Sequence, residues 1–475
     1  MDLLLAHAFY LADDPQEREV MRPYAPLGLL YLSAYLKDRG FSVAVFDSTF
    51  STVTAFRERL IRDRPRVVGI YGNLLTRRMV VEMTRLARDA GARVVLGGPE
   101  PASYAAEYLQ HGADVVVAGE GELTLAELLP ALLGDAPPRL EGARGIAYHD
   151  EAGAVVRTDP RPQLESLDTL PFPDREAIDI DAYVRVWRDH HGRGSVSLIT
   201  ARGCPYTCTW CSHSVFGHTH RRRSPANVAA ELEQIVSRYA PDMVWYADDV
   251  FTINHRWLAQ YADELERRHL HVPFETITRE DRLDETVVRR LAAMGCFRLW
   301  IGSESGSQRV LDRMERGADA ARVREMVELL RDHGIESGLF IMLGYDGEQF
   351  EDLEATVDHL KAAPPDRFLT TVAYPIKGTP YHDRVADRVV STTTTWLDGS
   401  DRRVAVAGRH SRRFYGWATQ WMVNEVAWHQ ERRRARPDYP RMLKAGVRAR
   451  LGRLGMTLTR HEQEGGEGGR QTLPS

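Results

Sequence analysis

The chain has 475 residues, 43% of them hydrophobic and 27% charged, which is enough for two or three domains with cores of their own. Its 62 basic residues against 67 acidic ones leave a formal charge of -5, an argument against a nucleic-acid binder. No run approaches the roughly 18 apolar residues of a membrane span. The opening MDLLLAHAFY has no basic n-region and reads as a first strand rather than a signal peptide, so a cytoplasmic protein is expected. Four cysteines are too few for a disulfide framework, but three of them fall within eight residues.

Residues 1–136 alternate strand and helix patterns. β-Branched runs at Leu3–Ala6, Val43–Asp47, Val67–Tyr71, Val94–Gly98 and Val115–Gly119 are separated by helical stretches such as Leu27–Arg39 and Arg77–Ala90. Five β-α units with continuously apolar strands predict an α/β fold, a doubly wound parallel sheet. Ligands of such sheets sit beyond the carboxyl ends of the strands, which here carry Tyr71-Gly72-Asn73, Gly97-Gly98-Pro99 and Gly119-Glu120-Gly121. These glycines suit either close approach of a ligand to the backbone or ordinary tight turns. Residues 137–193 break the alternation and read as a linker with a β-hairpin at Ile146–Thr158.

From residue 194 to 386 the alternation resumes. Strands are predicted at Val196–Thr200, Met243–Ala247, Phe274–Ile277, Phe297–Gly302, Leu339–Leu343 and Phe368–Tyr374. Six successive units suggest a partial (β/α)6 barrel of the TIM type, whose chemistry would sit on the loops after the strands. Residues 387–475 read as a small helical region, with Trp417, Trp421 and Trp428 spaced for core packing and a disordered Gly/Glu-rich tail from Glu462 to Gly469.

ARGCPYTCTWCSH places Cys204, Cys208 and Cys211 in a C-x-x-x-C-x-x-C arrangement directly after the first barrel strand. Inert structural cysteines belong in apolar surroundings, which this loop of Gly, Pro and polar residues is not. A structural zinc would need a fourth ligand, which His213 could supply. A [4Fe–4S] cluster on three thiolates keeps one iron open and suits a barrel loop better. Cys296, at the head of the fourth strand, reads as a buried core thiol.

This motif, in this place, resembles the radical S-adenosylmethionine (SAM) enzymes, and the similarity runs over about Ser195–Asp383. Trp210 before Cys211 matches their pattern and would lie beside the adenine. Asp248 and Asp249 of YADDVF stand where the family binds the methionine amino group. Glu304 and Arg316 of WIGSESGSQRVLDRMERG stand where relatives contact the ribose and the methionine carboxylate. The resemblance implies a small-molecule substrate, reductive SAM cleavage to a 5′-deoxyadenosyl radical, and a reducing partner such as flavodoxin or ferredoxin. Taken singly these charged residues are ordinary surface groups; their shared strand-end position is what singles them out.

With a five-unit parallel domain ahead of the barrel, the chain resembles the cobalamin-binding subclass, in the branch of the anaerobic magnesium-protoporphyrin cyclase. The Asp-x-His-x-x-Gly motif that ligates cobalt in cobalamin mutases is absent, and His7 and His111 read as capping or packing residues. The resemblance implies that the loop Tyr71–Leu75, including Asn73 and Leu74, lies under the corrin, with Gly97, Gly98, Gly119 and Glu120 around the nucleotide tail. Two activities remain open: methylation of an unactivated carbon or phosphorus through methylcobalamin, and a cobalamin-dependent radical cyclisation or oxidative rearrangement. A cofactor-sensing protein is a third reading, disfavoured by the complete set of SAM-binding positions. The dense basic cluster Arg221–Arg223, which follows the cysteine loop, reads as a solvated face before a contact for an anionic ligand.

Overall fold

A computed structural model describes residues 1–390, 393 and 395–464; the expected tail lies, from residue 465 on, outside the described residues. The first sheet contains β1 (Leu3–His7), β2 (Val43–Phe46), β3 (Val67–Tyr71), β4 (Arg93–Gly97) and β5 (Val115–Val117), all parallel, then β6 (Ile146–His149) and β7 (Val155–Arg157). Its order is β2-β1-β3-β4-β5-β6-β7, so the winding reverses between β1 and β3. The hairpin β6–β7 pairs antiparallel onto β5, which makes that part of the 137–193 segment an extension of the first sheet.

Alternation along each strand divides the core in two. Leu3, Leu5, Val67, Val95 and Val115 face the helices Leu27–Lys37 and Gly121–Leu132. Leu4, Ala6, Val68, Ile70, Val94 and Leu96 face Phe56, Leu60, Val80, Met83 and Tyr108 from helices on the other side. Burial on both faces is why the strands read as unbroken apolar runs.

The second sheet begins with β8 (Ser195–Leu198). A short antiparallel ribbon, β9 (Ala201–Arg202) with β10 (Arg221–Arg222), then brackets the cysteine loop. The sheet continues with β11 (Met243–Tyr246), β12 (Phe274–Thr278), β13 (Cys296–Glu304), β14 (Glu336–Leu343) and β15 (Arg367–Val372). All five pairings from β8 to β15 are parallel and the order is sequential, β15-β14-β13-β12-β11-β8. Each crossover therefore steps the same way, which is the topology of an open barrel.

Two long helices, Arg412–Arg433 and Tyr439–Thr459, pack as a hairpin beside it. Glycines of the second helix admit tryptophans of the first. A Cβ on Gly452 would stand 2.7 Å from the Trp421 amide nitrogen, and one on Gly446 would stand 3.1 Å from the Trp428 ring. The tryptophans are packing residues, as their spacing indicates. Arg409 holds this region to the barrel: its guanidinium donates to the carbonyls of Gly344 and Ala373 at 2.9 and 2.6 Å and pairs with Glu464 at 3.0 Å.

Nearby, the Glu348 side chain accepts from the Gly344 amide at 2.6 Å. Burial, reinforced by Asp352, raises its carboxyl from the ordinary 4.5 to about 8. The folded chain thus keeps a proton that the unfolded chain has released between those two values, so stability falls as pH rises through this window. Glu348→Gln is expected to flatten that fall, with the variant more stable than the parent by about 2–4 kcal/mol at pH 8 and little different near pH 4. Denaturant titrations across the window check it; parallel pH profiles would contradict it.

Candidate active site

The cysteine loop is shaped by what holds its middle. Thr209 is buried, and its amide and hydroxyl both donate to the Met314 carbonyl at 3.0 Å. Its hydroxyl also meets the Tyr345 hydroxyl at 2.5 Å, and its carbonyl accepts from the Tyr381 amide at 2.9 Å. The Trp210 indole donates to the Tyr374 carbonyl at 3.1 Å and meets the Tyr374 ring edge-on. With Thr209 pinned inward, the cysteines on either side turn outward: Cys204 and Cys208 are partly exposed and Cys211 is exposed. All three line one cavity of about 460 Å³ at the carboxyl ends of the barrel strands. Among the described residues no three His, Cys, Asp or Glu side chains converge tightly enough to grip a single metal ion. A four-iron cube takes its thiolates at three separate corners, and the arrangement is compatible with that. A hydrogen bond from Cys211, aided by the Arg279 guanidinium and opposed by burial, lowers the Cys208 thiol, while the same contact raises Cys211 and burial raises Cys204. Thiolate is the ligand form.

Trp210, Asp249, Glu304 and Arg316 line the same cavity. Gly302 on β13 is what lets the last two approach: a Cβ there would stand 2.8 Å from the Arg316 guanidinium and 3.0 Å from the Glu304 carboxylate. The register of β13 shifts between Gly302 and Glu304, and Glu304 takes a left-handed φ of 60°. This strained kink aims its side chain into the cavity. Burial, with Cys208 and Glu280 nearby, pushes the Glu304 carboxyl up to about 8. It therefore holds a proton at neutral pH and can donate as well as accept. Arg316 donates to the Gly302 carbonyl at 2.7 Å. Asp249 makes no hydrogen bond among the described residues, and burial and Asp248 raise its carboxyl.

Asp248 departs from the expectation. It is buried, accepts from the Thr200 and Ala201 amides at 2.7 and 3.2 Å and from the Thr200 hydroxyl, and pairs with Arg222 at 3.0 Å. Consecutive residues leaving a strand point to opposite sides, so only one of the two aspartates faces the cavity. Glu120 is also committed elsewhere: Arg202 and Arg221 each donate to it at 2.8 Å, and the Leu164 amide donates at 3.0 Å. Arg202 further pairs with Glu122 at 2.6 Å. The run Arg221–Arg223 is neither a solvated face nor a ligand contact, because its members pair with Glu120, Asp248 and Glu231 in turn. The pairs of Arg202 and Arg221 with Glu120 and Glu122 join the two domains, whereas Arg222–Asp248 and Arg223–Glu231 lie within the second.

At the ends of the first sheet, Tyr71 is exposed and the Tyr71–Leu75 loop is an Asx turn, in which Asn73 accepts from the Leu75 amide at 3.0 Å. The Leu74 carbonyl accepts from Ser400 at 2.9 Å. Gly98, at φ 110°, has no room for a Cβ beside the Gly72 carbonyl, whereas above Gly97 there is open space. Gly119 lines a second cavity of about 310 Å³, walled also by the His213–Gly217 segment. His7 bonds Asp47 at 2.9 Å, and His111 bonds the Glu107 carbonyl at 2.7 Å; both are structural. Pro99 lines the cysteine cavity, so the end of β4 and the cysteine loop open onto one space.

Residues 198–360 match the radical SAM superfamily, and residues 19–129 match the B12 binding domain. The chain carries a radical SAM domain behind a B12 binding domain. Among relatives of this radical SAM chain, an uncharacterized methyltransferase of Pyrococcus horikoshii is 27% identical over 382 residues, 78% of the chain and 80% of the relative. The anaerobic magnesium-protoporphyrin IX monomethyl ester cyclase of Rubrivivax gelatinosus is 26% identical over 358 residues, 73% of the chain and 64% of the cyclase. Of solved structures, the radical SAM methyltransferase TsrM of Kitasatospora setae shares the fold with a TM-score of 0.67 at 22% identity, over 84% of this chain and 80% of that one. The two domains imply a [4Fe–4S] cluster with SAM and cobalamin respectively, and a radical SAM enzyme takes an electron donor.

One cavity residue was missed by sequence reasoning. Arg279, just after β12, lies over the Tyr206 ring at 3.8 Å and donates to the Arg316 carbonyl at 3.0 Å. It also reaches the Cys208 sulfur at 3.9 Å. Its position at a strand end, in TITREDR, was the available signal.

Proposed function

We propose that this enzyme methylates an unactivated carbon or phosphorus of a small molecule through methylcobalamin. The observation that carries the reading is the shared space: Pro99, beside Gly97 and Gly98 on the first sheet, lines the same cavity as Cys204, Cys208 and Cys211. When bound, the cluster, SAM and cobalamin supply an electron, a 5′-deoxyadenosyl radical and a transferable methyl group. The three cysteines would hold three irons. Asp249 would take the ammonium of SAM and Arg316 its carboxylate, with Trp210 beside the adenine and Glu304 at the ribose. Tyr71, Asn73 and Leu74 would lie under the corrin, with Gly97, Gly98 and Gly119 around its nucleotide tail. A flavodoxin or ferredoxin would deliver the electron. The walls of the cavity would hold the substrate between the two cofactors, and that positioning supplies the selectivity.

The test uses methyl-labelled SAM with the anaerobically purified holoenzyme and candidate substrates. Label in the product, together with S-adenosylhomocysteine and 5′-deoxyadenosine, is expected. Substrate turnover with deoxyadenosine but neither label nor homocysteine product would replace this reading with cyclisation.

The two aspartates separate cleanly. Because Asp249 is free of internal partners, Asp249→Ala is expected to leave stability and iron content unchanged while weakening SAM binding by about 1.5–3 kcal/mol. Asp248→Ala strands Arg222 and three donors, so it should cost about 3–5 kcal/mol of stability. Calorimetric SAM titration and thermal unfolding read the two effects; equal SAM affinity in parent and Asp249→Ala would displace that assignment.

A further inference from the structure

The last long helix, Tyr439–Thr459, uses only one side for folding. Ala445, Gly446, Ala449, Gly452, Gly455, Met456 and Thr459 are buried, most of them against the tryptophan-bearing helix. On the opposite side Tyr439, Leu443, Val447, Leu451, Leu454 and Leu458 follow one another at steps of four, four, four, three and four, which keeps them on a single face. They are 48–73% exposed, and they make up six of the sixteen exposed large hydrophobic side chains among the described residues. Scattered exposure of apolar groups is ordinary; a continuous stripe is the mark of a binding surface.

The helix's own charges are of one sign. From Tyr439 to Arg460 there are six basic residues, Arg441, Lys444, Arg448, Arg450, Arg453 and Arg460, and no Asp or Glu, in a chain whose net charge is -5. At 100° per residue Lys444 and then Arg448 lie beyond one side of the stripe and Arg453, which pairs with Glu354 at 2.5 Å, beyond the other, while Arg450 falls within it near Tyr439. Among the described residues Lys444 and Arg448 have no ion-pair partner. Arg432, Arg433 and Arg436 just before the helix extend the basic zone, while Arg434 pairs with Glu431 at 3.1 Å.

We infer that this face docks on an anionic lipid bilayer, with the helix lying in the plane of the surface. An apolar line flanked by cations matches such a surface in two ways: leucines enter the acyl boundary while the cations meet lipid phosphates. The stripe from residue 439 to 458 is about 29 Å long and only one helix face wide, a shape suited to an extended plane. A second copy of the chain fits poorly, since pairing two such stripes brings arginines against arginines. No helix is long and apolar enough to cross a membrane among the described residues, so the contact is peripheral.

The experiment is flotation of the full-length, anaerobically purified protein with vesicles of phosphatidylcholine alone or mixed equally with phosphatidylglycerol. The protein should float with the mixed vesicles only, and release as salt rises from about 0.1 to about 1 M, where the screening length falls from about 10 to about 3 Å. The pairs Leu451→Ser with Leu454→Ser, and Lys444→Glu with Arg448→Glu, should each lower the bound fraction about tenfold. Both pairs lie on the solvent face, and circular dichroism and iron content confirm folding. Absence of flotation, equal flotation on neutral vesicles, or unchanged flotation of both variants would overturn the inference. So would a wild-type dimer that Leu451→Ser dissociates, which would give the stripe to a second copy.

Discussion

Replacing any one of Cys204, Cys208 or Cys211 by Ala is expected to remove the iron–sulfur cluster, whereas Cys296→Ala is expected to keep it. The difference follows from where the fold puts each thiol. The first three line the cavity at the carboxyl ends of the barrel strands. Cys296 opens β13, and its sulfur donates to the Arg298 carbonyl at 3.4 Å in the core. The cavity residue Glu304 closes the same strand, eight residues on, so at about 3.3 Å per residue some 26 Å of extended chain separate the two. No local rearrangement spans that distance. Burial also drives the Cys296 thiol far above its ordinary range, so it stays protonated and is no ligand. Its loss should cost about 1 kcal/mol of packing and nothing in iron. Iron and sulfide analysis with electron paramagnetic resonance of the reduced protein decides; cluster loss confined to the Cys296 variant would sink the ligand set.

The elements were legible because their signals are local. β-Branched runs, helical periodicity and a three-cysteine loop need no knowledge of distant residues, and the strands β1 to β15 of the two sheets fall where the pattern puts them, within a few residues. The cavity residues Asp249, Glu304 and Arg316 were legible because the local motifs that carry them, YADDVF and WIGSESGSQRVLDRMERG, resemble the family's. What could not be read is pairing across the chain. Nothing near Glu120 announces Arg202 and Arg221, 82 and 101 positions away, and a run of three arginines looks solvated until its three acidic partners are known. The hairpin β6–β7 was expected, but its docking on β5 depends on an open sheet edge that no local pattern reveals. The Asp248-Asp249 pair is a different case, since alternation along the chain already allowed only one to face the site.

The same buried pairing sets a large stability effect away from the cysteine loop. Glu231 is wholly buried and stands between two guanidiniums, with Arg175 at 2.6 Å and Arg223 hydrogen-bonded to its other oxygen. Arg175 also donates to the Ser197 carbonyl on β8 at 3.0 Å. Arg223 donates to the Ile199 carbonyl at 2.9 Å and to Tyr31 of the first domain at 3.2 Å. One carboxylate thus neutralises two cations that hold the strand feeding the cysteine loop and reach Tyr31 on the helix Leu27–Lys37 of the first domain. Glu231→Gln keeps the shape and removes the charge, leaving the cations uncompensated, and should destabilise by about 3–5 kcal/mol. Replacing all three with apolar residues, Arg175→Met and Arg223→Met with Glu231→Leu, should recover most of that loss, because the charges that need the carboxylate go with it. The exposed pair Arg85–Asp89 serves as the control, where Asp89→Asn should cost under about 1 kcal/mol. Denaturant unfolding of the four proteins measures this, and a Glu231→Gln cost no larger than that of Asp89→Asn would show that the buried triad does not depend on its carboxylate charge.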